Sequence, residues 1–168
     1  MKNVPVYLCG FMGCGKSTVG KLLAKKLGTE CLDLDDYIEE HEAMSIPEIF
    51  EQKGEAYFRA AETKALKDLA GECKIIATGG GALLNEENGA LAKSAGLAVF
   101  IDTDFETCYS RIKDDPHRPI AYNSTKEQLQ ERFDSRRPLY KAHSNCIVSG
   151  DLRPIEIADE IAKIYRSK

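Results

Sequence analysis

The chain has 168 residues, with 23 Lys and Arg against 27 Asp and Glu for a formal net charge of −4, and it is 43% hydrophobic and 30% charged. That balance argues against a non-specific nucleic-acid or polyanion binder and against a disordered chain, and it suits a globular domain able to bury a sizeable core. Its apolar runs, such as Leu97-Ala98-Val99-Phe100-Ile101, are far shorter than the roughly 20 residues a membrane-crossing helix needs.

In chain order, the β-rich run 4–9 predicts a first strand that leads straight into a Gly-rich loop. Residues 16–27 carry Val19, Leu22, Leu23 and Leu27 on one helical face, with Gly28 as the stop. A second strand is expected at 31–34, followed by a short helix over 36–42. Ser45 with Pro47 and Glu48 forms a capping-box start for a helix over 47–52, and a longer helix over 55–69 lies between Gly54 and Gly71. The third strand falls at 75–78, a helix at 86–94 stopped by Gly96, the fourth strand at 97–101 and another helix at 105–112. Residues 113–124 hold two prolines and several turn formers, which predicts a mobile loop of the length lids have. A helix over 126–136, a fifth strand at 146–149 and a helix over 154–165 complete a single domain, 1–168. Strands alternating with helices predict a parallel α/β sheet.

The N-terminus carries one Lys before Gly10, which leaves no room for a cleavable signal peptide, so a cytoplasmic protein is expected. None of the six cysteines forms a C-x-x-C pair, and all read as free thiols. Cys9, Cys31, Cys73, Cys108 and Cys146 accompany apolar stretches, while Cys14 sits in a loop and is the thiol to test for reactivity. His41, His117 and His143 are isolated, so no metal site built by the protein alone is visible.

Gly10-Phe11-Met12-Gly13-Cys14-Gly15-Lys16-Ser17 fits the phosphate-loop pattern G-x-x-x-x-G-K-[ST], with a strand before it and an amphipathic helix after it. Backbone N–H groups of such a loop converge on phosphate oxygens, the helix N-terminus adds its positive end, Lys16 reaches the β/γ-phosphates and the Ser17 hydroxyl can ligate Mg²⁺. Asp33 and Asp35 stand two apart at the end of the second strand, so both can project to one side at the carboxyl edge of the sheet. One can hold Mg²⁺ and the other take a hydroxyl proton, although either can instead cap the next helix. Asp102 has the place of a Walker B aspartate at the end of the fourth strand, but a cap for the helix after Thr103 is the preferred reading. Gly79-Gly80-Gly81, again at a strand end, makes sense if a ligand presses on the backbone there. Arg59 on one helix and the Arg136-Arg137 pair near the end of another become candidates through their pairing with such a glycine-lined pocket.

Assembled, these residues make the chain resemble the shikimate kinase family over nearly its whole length. The marks are Gly-Phe-Met-Gly-Cys-Gly-Lys-Ser-Thr-Val-Gly at 10–20, Leu-Asp-Leu-Asp at 32–35, Ile-Pro-Glu-Ile-Phe at 46–50 and Gly-Glu-Ala-Tyr-Phe-Arg at 54–59. Thr-Gly-Gly-Gly at 78–81, His-Arg-Pro at 117–119 and Arg-Arg-Pro-Leu-Tyr at 136–140 complete the set. The resemblance implies a three-layer P-loop kinase fold, its five-stranded parallel sheet ordered 2-3-1-4-5 and flanked by helices. The implied activity is transfer of the ATP γ-phosphoryl group to the 3-hydroxyl of shikimate, giving shikimate 3-phosphate and ADP in aromatic amino-acid biosynthesis. Lys16, Asp35 and Arg118 then take the catalytic positions. Gly13, Cys14, Gly15, Lys16, Ser17 and Thr18 hold ATP together with Arg111, Arg118, Arg153 and Pro154. Asp35, Arg59, Gly80, Gly81 and Arg136 hold shikimate beside an apolar wall of Phe50 and Phe58, and Ser17 with Asp33 serves Mg²⁺. A substrate-binding helical region at about 35–62 and a lid at about 113–124 follow from the same resemblance. The expected partners are shikimate and MgATP, with no nucleic acid and no membrane, on a monomer.

Two other functions compete. A gluconate-type or nucleoside-monophosphate kinase of the same superfamily also uses a P-loop with arginines and carboxylates. A nucleotide-dependent switch needs only the phosphate loop, but the chain has no Asn-Lys-x-Asp guanine signature, and Asp33, Arg59, Gly80 and Arg136 would have no purpose in one.

Overall fold

The alternation of strands and helices closes into layers around one parallel sheet in the computed structural model, which describes residues 3–72, 74–116 and 118–168. Strands β1 (Val6–Cys9), β2 (Glu30–Asp33), β3 (Lys74–Ala77), β4 (Leu97–Asp102) and β5 (Cys146–Ser149) lie in the order β2-β3-β1-β4-β5, all pairs parallel. This is the order expected from the sequence. The central strand β1 is buried at every residue, the signature of a parallel strand covered on both faces rather than an alternating one.

Helices α1 (Lys16–Leu27), α2 (Leu34–Glu42), α3 (Ile46–Lys53), α4 (Glu55–Leu69), α5 (Glu86–Ala95), α6 (Phe105–Ile112), α7 (Pro119–Tyr122), α8 (Lys126–Ala142) and α9 (Pro154–Arg166) follow in chain order. Helices α1 and α9 pack on each other and against the sheet. Helix α8 reaches the sheet through Tyr140, whose ring lies 5.4 Å from that of Phe100 on β4. The predicted capping box of α3 is present, with Ser45 Oγ accepting from the Glu48 N–H and Glu48 accepting from the Ser45 N–H. Gly28 and Gly96 end α1 and α5 as expected, whereas α4 ends at Ala70, one residue ahead of Gly71.

Two expectations need correction. The helix expected to stop at Arg136 runs on to Ala142 with Pro138 inside it. Proline removes one N–H and crowds the carbonyl four residues back, but the residues beyond it are held by tertiary contacts of Tyr140 and His143, which carry the helix through. The stretch 113–124 is not structureless, since Pro119 starts the four-residue helix α7, a position where its fixed φ and missing N–H do no harm.

After β1 the chain builds β2 and β3 to one side and then β4 and β5 to the other. The carboxyl end of β1 is therefore where the connections diverge, the place open α/β sheets bind ligands. Among the described residues no helix is long and apolar enough to cross a membrane.

Candidate active site

Between β1 and α1 the loop turns on glycines. Gly13 has φ +78°, and a Cβ there would lie 2.8 Å from Ile112 Cγ2 and 2.9 Å from the Cys108 carbonyl oxygen, so the loop rests directly on α6. Helices α2, α3, α5, α6 and α8 each have a side-chain cap, but α1 begins at Gly15 with none and has no acid in its first turn. Its first N–H groups and positive dipole end are thus directed at the cavity in front of the loop. Lys16 folds back over the loop, its Nζ donating to the carbonyls of Gly10 at 2.7 Å and Phe11 at 3.2 Å. Arg111 donates to the Gly13 carbonyl at 2.8 Å, and Thr103 Oγ1 to that of Cys14 at 3.2 Å.

Cys14, the loop thiol singled out for a reactivity test, is 2% exposed, its sulfur tucked under Gly10 and 3.6 Å from Lys16 Nζ. Of the other thiols, Cys9 and Cys108 are buried in the core, while Cys31 and Cys146 are half-buried. Cys73 and His117 lie outside the described residues.

A cavity of about 400 Å³ opens in front of the loop, lined by Gly13, Gly15, Lys16, Ser17 and Thr18 on one side and by Asp33, Asp35, Gly79 and Gly80 on another. Arg111, Asp115, Arg118 and Pro154 complete its rim. Asp33 takes the capping role the sequence left open to it and also lines the cavity. Its Oδ1 accepts from the N–H groups of Asp35 and Asp36 as the cap of α2, and the carboxylate still faces the cavity. Asp35 stands two residues on, so close to the chain after β3 that a Cβ on Gly79 would lie 2.9 Å from its Oδ1. Burial first, and then the negative charges of Asp33 and Glu62, raise the Asp35 carboxyl to about 6 against the opposing pull of Lys16. A carboxylate poised there is suited to accept a proton from a hydroxyl near neutral pH.

Beyond Gly80 lies a second cluster of cations. Arg59 on α4 reaches the backbone of Gly81, where an added Cβ would meet its guanidinium at 2.5 Å, and Arg136 on α8 donates to the Gly80 carbonyl at 3.4 Å. Phe58 is buried and Phe50 is 38% exposed, their rings 5.0 Å apart beside Arg59, whose Cζ sits 5.4 Å from the Phe58 ring. The glycine triplet thus joins the two groups, with Asp35 on one side and the arginines on the other.

Sequence reasoning missed two residues here. Glu62, 1% exposed, accepts from Arg59 at 2.7 Å; burial raises its carboxyl and Arg59 lowers it. The signal was an acid on the apolar face of α4, one turn after Arg59. Tyr140, whose hydroxyl is pushed up by burial and stays a donor, bonds the Gly80 carbonyl at 2.5 Å. Three other residues sit apart from the cavity's interior. Arg153 is exposed and paired with Glu156 at 3.0 Å, and Arg118 pairs with Asp115 at 3.3 Å on the rim. Asp102 does not cap α6, because Asp104 does so by accepting from the Thr107 N–H. Asp102 instead takes two hydrogen bonds from Arg137.

A phosphate loop at the diverging point of a 2-3-1-4-5 parallel sheet, with a carboxylate pair on the same cavity and an arginine pair at the adjoining glycine turn, defines a P-loop kinase. The model of the shikimate kinase family matches residues 12–166. A shikimate kinase from Aquifex aeolicus is 44% identical over 157 residues, covering 93% of this chain and 92% of its own. The structure of a shikimate kinase from Acinetobacter baumannii in complex with shikimate superposes with a TM-score of 0.89 at 35% identity, over 98% of this chain and 93% of that one. That from Bacteroides thetaiotaomicron gives 0.86 at 29% identity, over 97% and 98%. The chain belongs to the shikimate kinase family.

Proposed function

We infer that this chain is a shikimate kinase, transferring the γ-phosphoryl group of ATP to the 3-hydroxyl of shikimate. The observation that carries the reading is Asp35, a carboxylate raised to about 6 that shares one cavity with the phosphate loop and touches the glycine turn where Arg59 and Arg136 converge. An alcohol that also bears a carboxylate fits this layout: the arginines take the carboxylate, and Asp35 takes the hydroxyl nearest the loop.

In this reading the N–H groups from Gly13 to Thr18 cradle the phosphates, the backbone of Cys14 contributing while its side chain stays buried. Lys16 leaves the carbonyls of Gly10 and Phe11 for the β- and γ-oxygens. Arg118 swings in from the rim as the segment 113–124 closes, adding positive charge where it builds up in a loose transition state and excluding water. Arg111 and Pro154, with Arg153 beside them, flank the adenine. Asp35 orients the acceptor hydroxyl and receives its proton. Arg59, Gly80, Gly81 and Arg136 fix the acceptor, and Phe50 and Phe58 cover its ring. The region 35–62 is then the acceptor-binding part of a single kinase domain.

Ser17 and Asp33 fit Mg²⁺, since a hydroxyl and a carboxylate on the same cavity are a hard oxygen pair for an ion that keeps water and phosphate as its other ligands. Among the described residues no cluster of three His, Cys, Asp or Glu would hold a metal alone, which suits an ion that arrives with the nucleotide. When bound, it neutralises charge between the β- and γ-phosphates. We place the enzyme in the cytoplasm as a monomer.

Coupled ADP release with shikimate, gluconate and a nucleoside monophosphate tests the reading. Release with shikimate well above the others is expected. No release with shikimate, or equal release with gluconate, overturns it.

A further inference from the structure

Two adjacent arginines on α8 have separate tasks. Arg136 points to the Gly80 turn, and Arg137 points away from it to the end of β4, where its Nε meets Asp102 Oδ1 at 2.9 Å and its second nitrogen meets Oδ2 at 2.6 Å. Parallel two-point pairing of this kind fixes orientation as well as distance, unlike a single-contact surface pair. The need for it lies one residue on. Pro138 has no N–H to give the Asp134 carbonyl, so the helical turn that carries Arg136 is the least secured by its own backbone. Downstream, Tyr140 and His143 hold the same face as Arg136 by bonding the carbonyls of Gly80 and Leu83. N-terminal to Arg136 the helix is packed through buried Leu129 and Phe133, the latter against Phe11 and Phe105, and next to Arg136 itself Arg137 adds a two-point ionic tie to the end of β4.

Asp102 is a firm anchor. Its carbonyl accepts from the Gly150 N–H at 2.8 Å and its residue pairs in register with Ser149 of β5. The next residue, Thr103, donates to the Cys14 carbonyl of the phosphate loop. We propose that Arg137 is a positioning residue: through Asp102 it sets the rotation of α8 so that Arg136 meets the acceptor's carboxylate, and it references that grip to the same strand end that supports the phosphate loop. This rests on the reading of Arg136 as a carboxylate-binding residue given above.

Electrostatics makes the proposal testable by sign. Arg137→Met removes a positive charge from the neighbourhood of an anionic acceptor, and would weaken binding whether or not the pair positions anything. Asp102→Asn removes a negative charge, so a plain field effect would strengthen acceptor binding, whereas loss of positioning weakens it. Shikimate affinity is measured by titration calorimetry, since the chain has no Trp to report binding, and KM and kcat by ADP release, on wild type, both single variants and the double variant. We expect each single variant to raise the shikimate KM and Kd about fivefold, with the loss carried by KM rather than kcat, and the double variant to lose no more than Arg137→Met alone. Unchanged or tighter binding in Asp102→Asn, or single effects that multiply in the double variant, overturns the proposal. Asn matches Asp in shape, so a melting temperature near wild type in that variant separates positioning from misfolding; a binding loss matched by a large fall in melting temperature counts against it. Absence of shikimate-dependent turnover in wild type would strike the functional reading instead, a result distinguishable from all of these.

Discussion

Replacing Asp35 by Asn should make the protein more stable and less active at once, with the gain appearing only above mildly acidic pH. The carboxyl is raised from 3.8 to about 6, mainly by burial and then by Asp33 and Glu62. At about 1.4 kcal/mol per unit, holding Asp35 ionised in the folded state costs about 3 kcal/mol. The sign follows from linkage. Below the unfolded value of 3.8 both states are protonated and no cost exists; as pH rises through 6 the folded protein must ionise and loses that stability. The Asn variant never ionises. Its amide still needs partners in a half-buried place, so we expect roughly half of the full gain, a melting temperature about 5 °C above wild type at pH 7.5. Near pH 4 the difference should vanish. Calorimetric melts of the two proteins between pH 4 and 8 measure it, while ADP release should show kcat reduced by at least about a hundredfold. In wild type, kcat/KM should fall as pH drops through about 6, where Asp35 takes up its proton. A melting difference that is flat across this range, or an Asn variant that is less stable at pH 7.5, would refute the reasoning.

Lys16→Met should leave the melting temperature near wild type and reduce turnover by far more than tenfold, because its ammonium has no other substitute at the β/γ-oxygens; retention of more than about a tenth of kcat counts against the role. Arg118→Ala should lower kcat more than it weakens binary shikimate binding, since in the proposed mechanism its contact is with phosphate and strengthens in the transition state; calorimetry and steady-state rates together decide. Tyr140→Phe deletes the shorter of the two hydrogen bonds to the Gly80 carbonyl, leaving it only the longer one from Arg136, and should lower stability by about 1 kcal/mol while raising the shikimate KM; equal values for the two proteins would remove Tyr140 from the site.

The architecture was legible because it is written locally. The strand order is implied by the family that Gly10 to Gly20, Asp33 to Asp35 and Gly79 to Gly81 resemble, and the strand-helix alternation agrees with it. What was hidden depends on residues far apart in sequence. Asp102 reads as a cap because a helix follows it, and only Arg137, arriving from α8, shows otherwise. Cys14 reads only as a loop thiol, and that its sulfur folds beneath Gly10 depends on how the loop closes on itself. The helix past Pro138 violates local propensity, and the contacts that carry it through belong to the Gly80 turn and Leu83. Phe50 and Phe58 were expected as a wall, and the structure pairs their rings beside Arg59.

The cations of the site share one feature that bears on how ligands bind. Lys16 is held by the carbonyls of Gly10 and Phe11, Arg111 by that of Gly13, Arg118 by Asp115, and Arg59 by Glu62. Each positive group that the proposed mechanism sends to a phosphate or a carboxylate therefore has an acceptor of its own in the protein. Binding becomes an exchange of partners rather than the filling of empty donors, so the net gain per contact is a difference and stays modest. The exchange differs in kind at the two ends. In the proposed mechanism Lys16 and Arg118 must leave their partners, so their charge reaches the transferring group only once the more highly charged phosphates of the nucleotide compete for it. Arg59 can keep Glu62 on one nitrogen and still offer the rest of its fork to a carboxylate, because a guanidinium has five donors. In that proposed mechanism the acceptor end is built in advance and the phosphate end is assembled by its ligand, which assigns discrimination between acceptors to Arg59 on its helix and the timing of transfer to the groups that change partners.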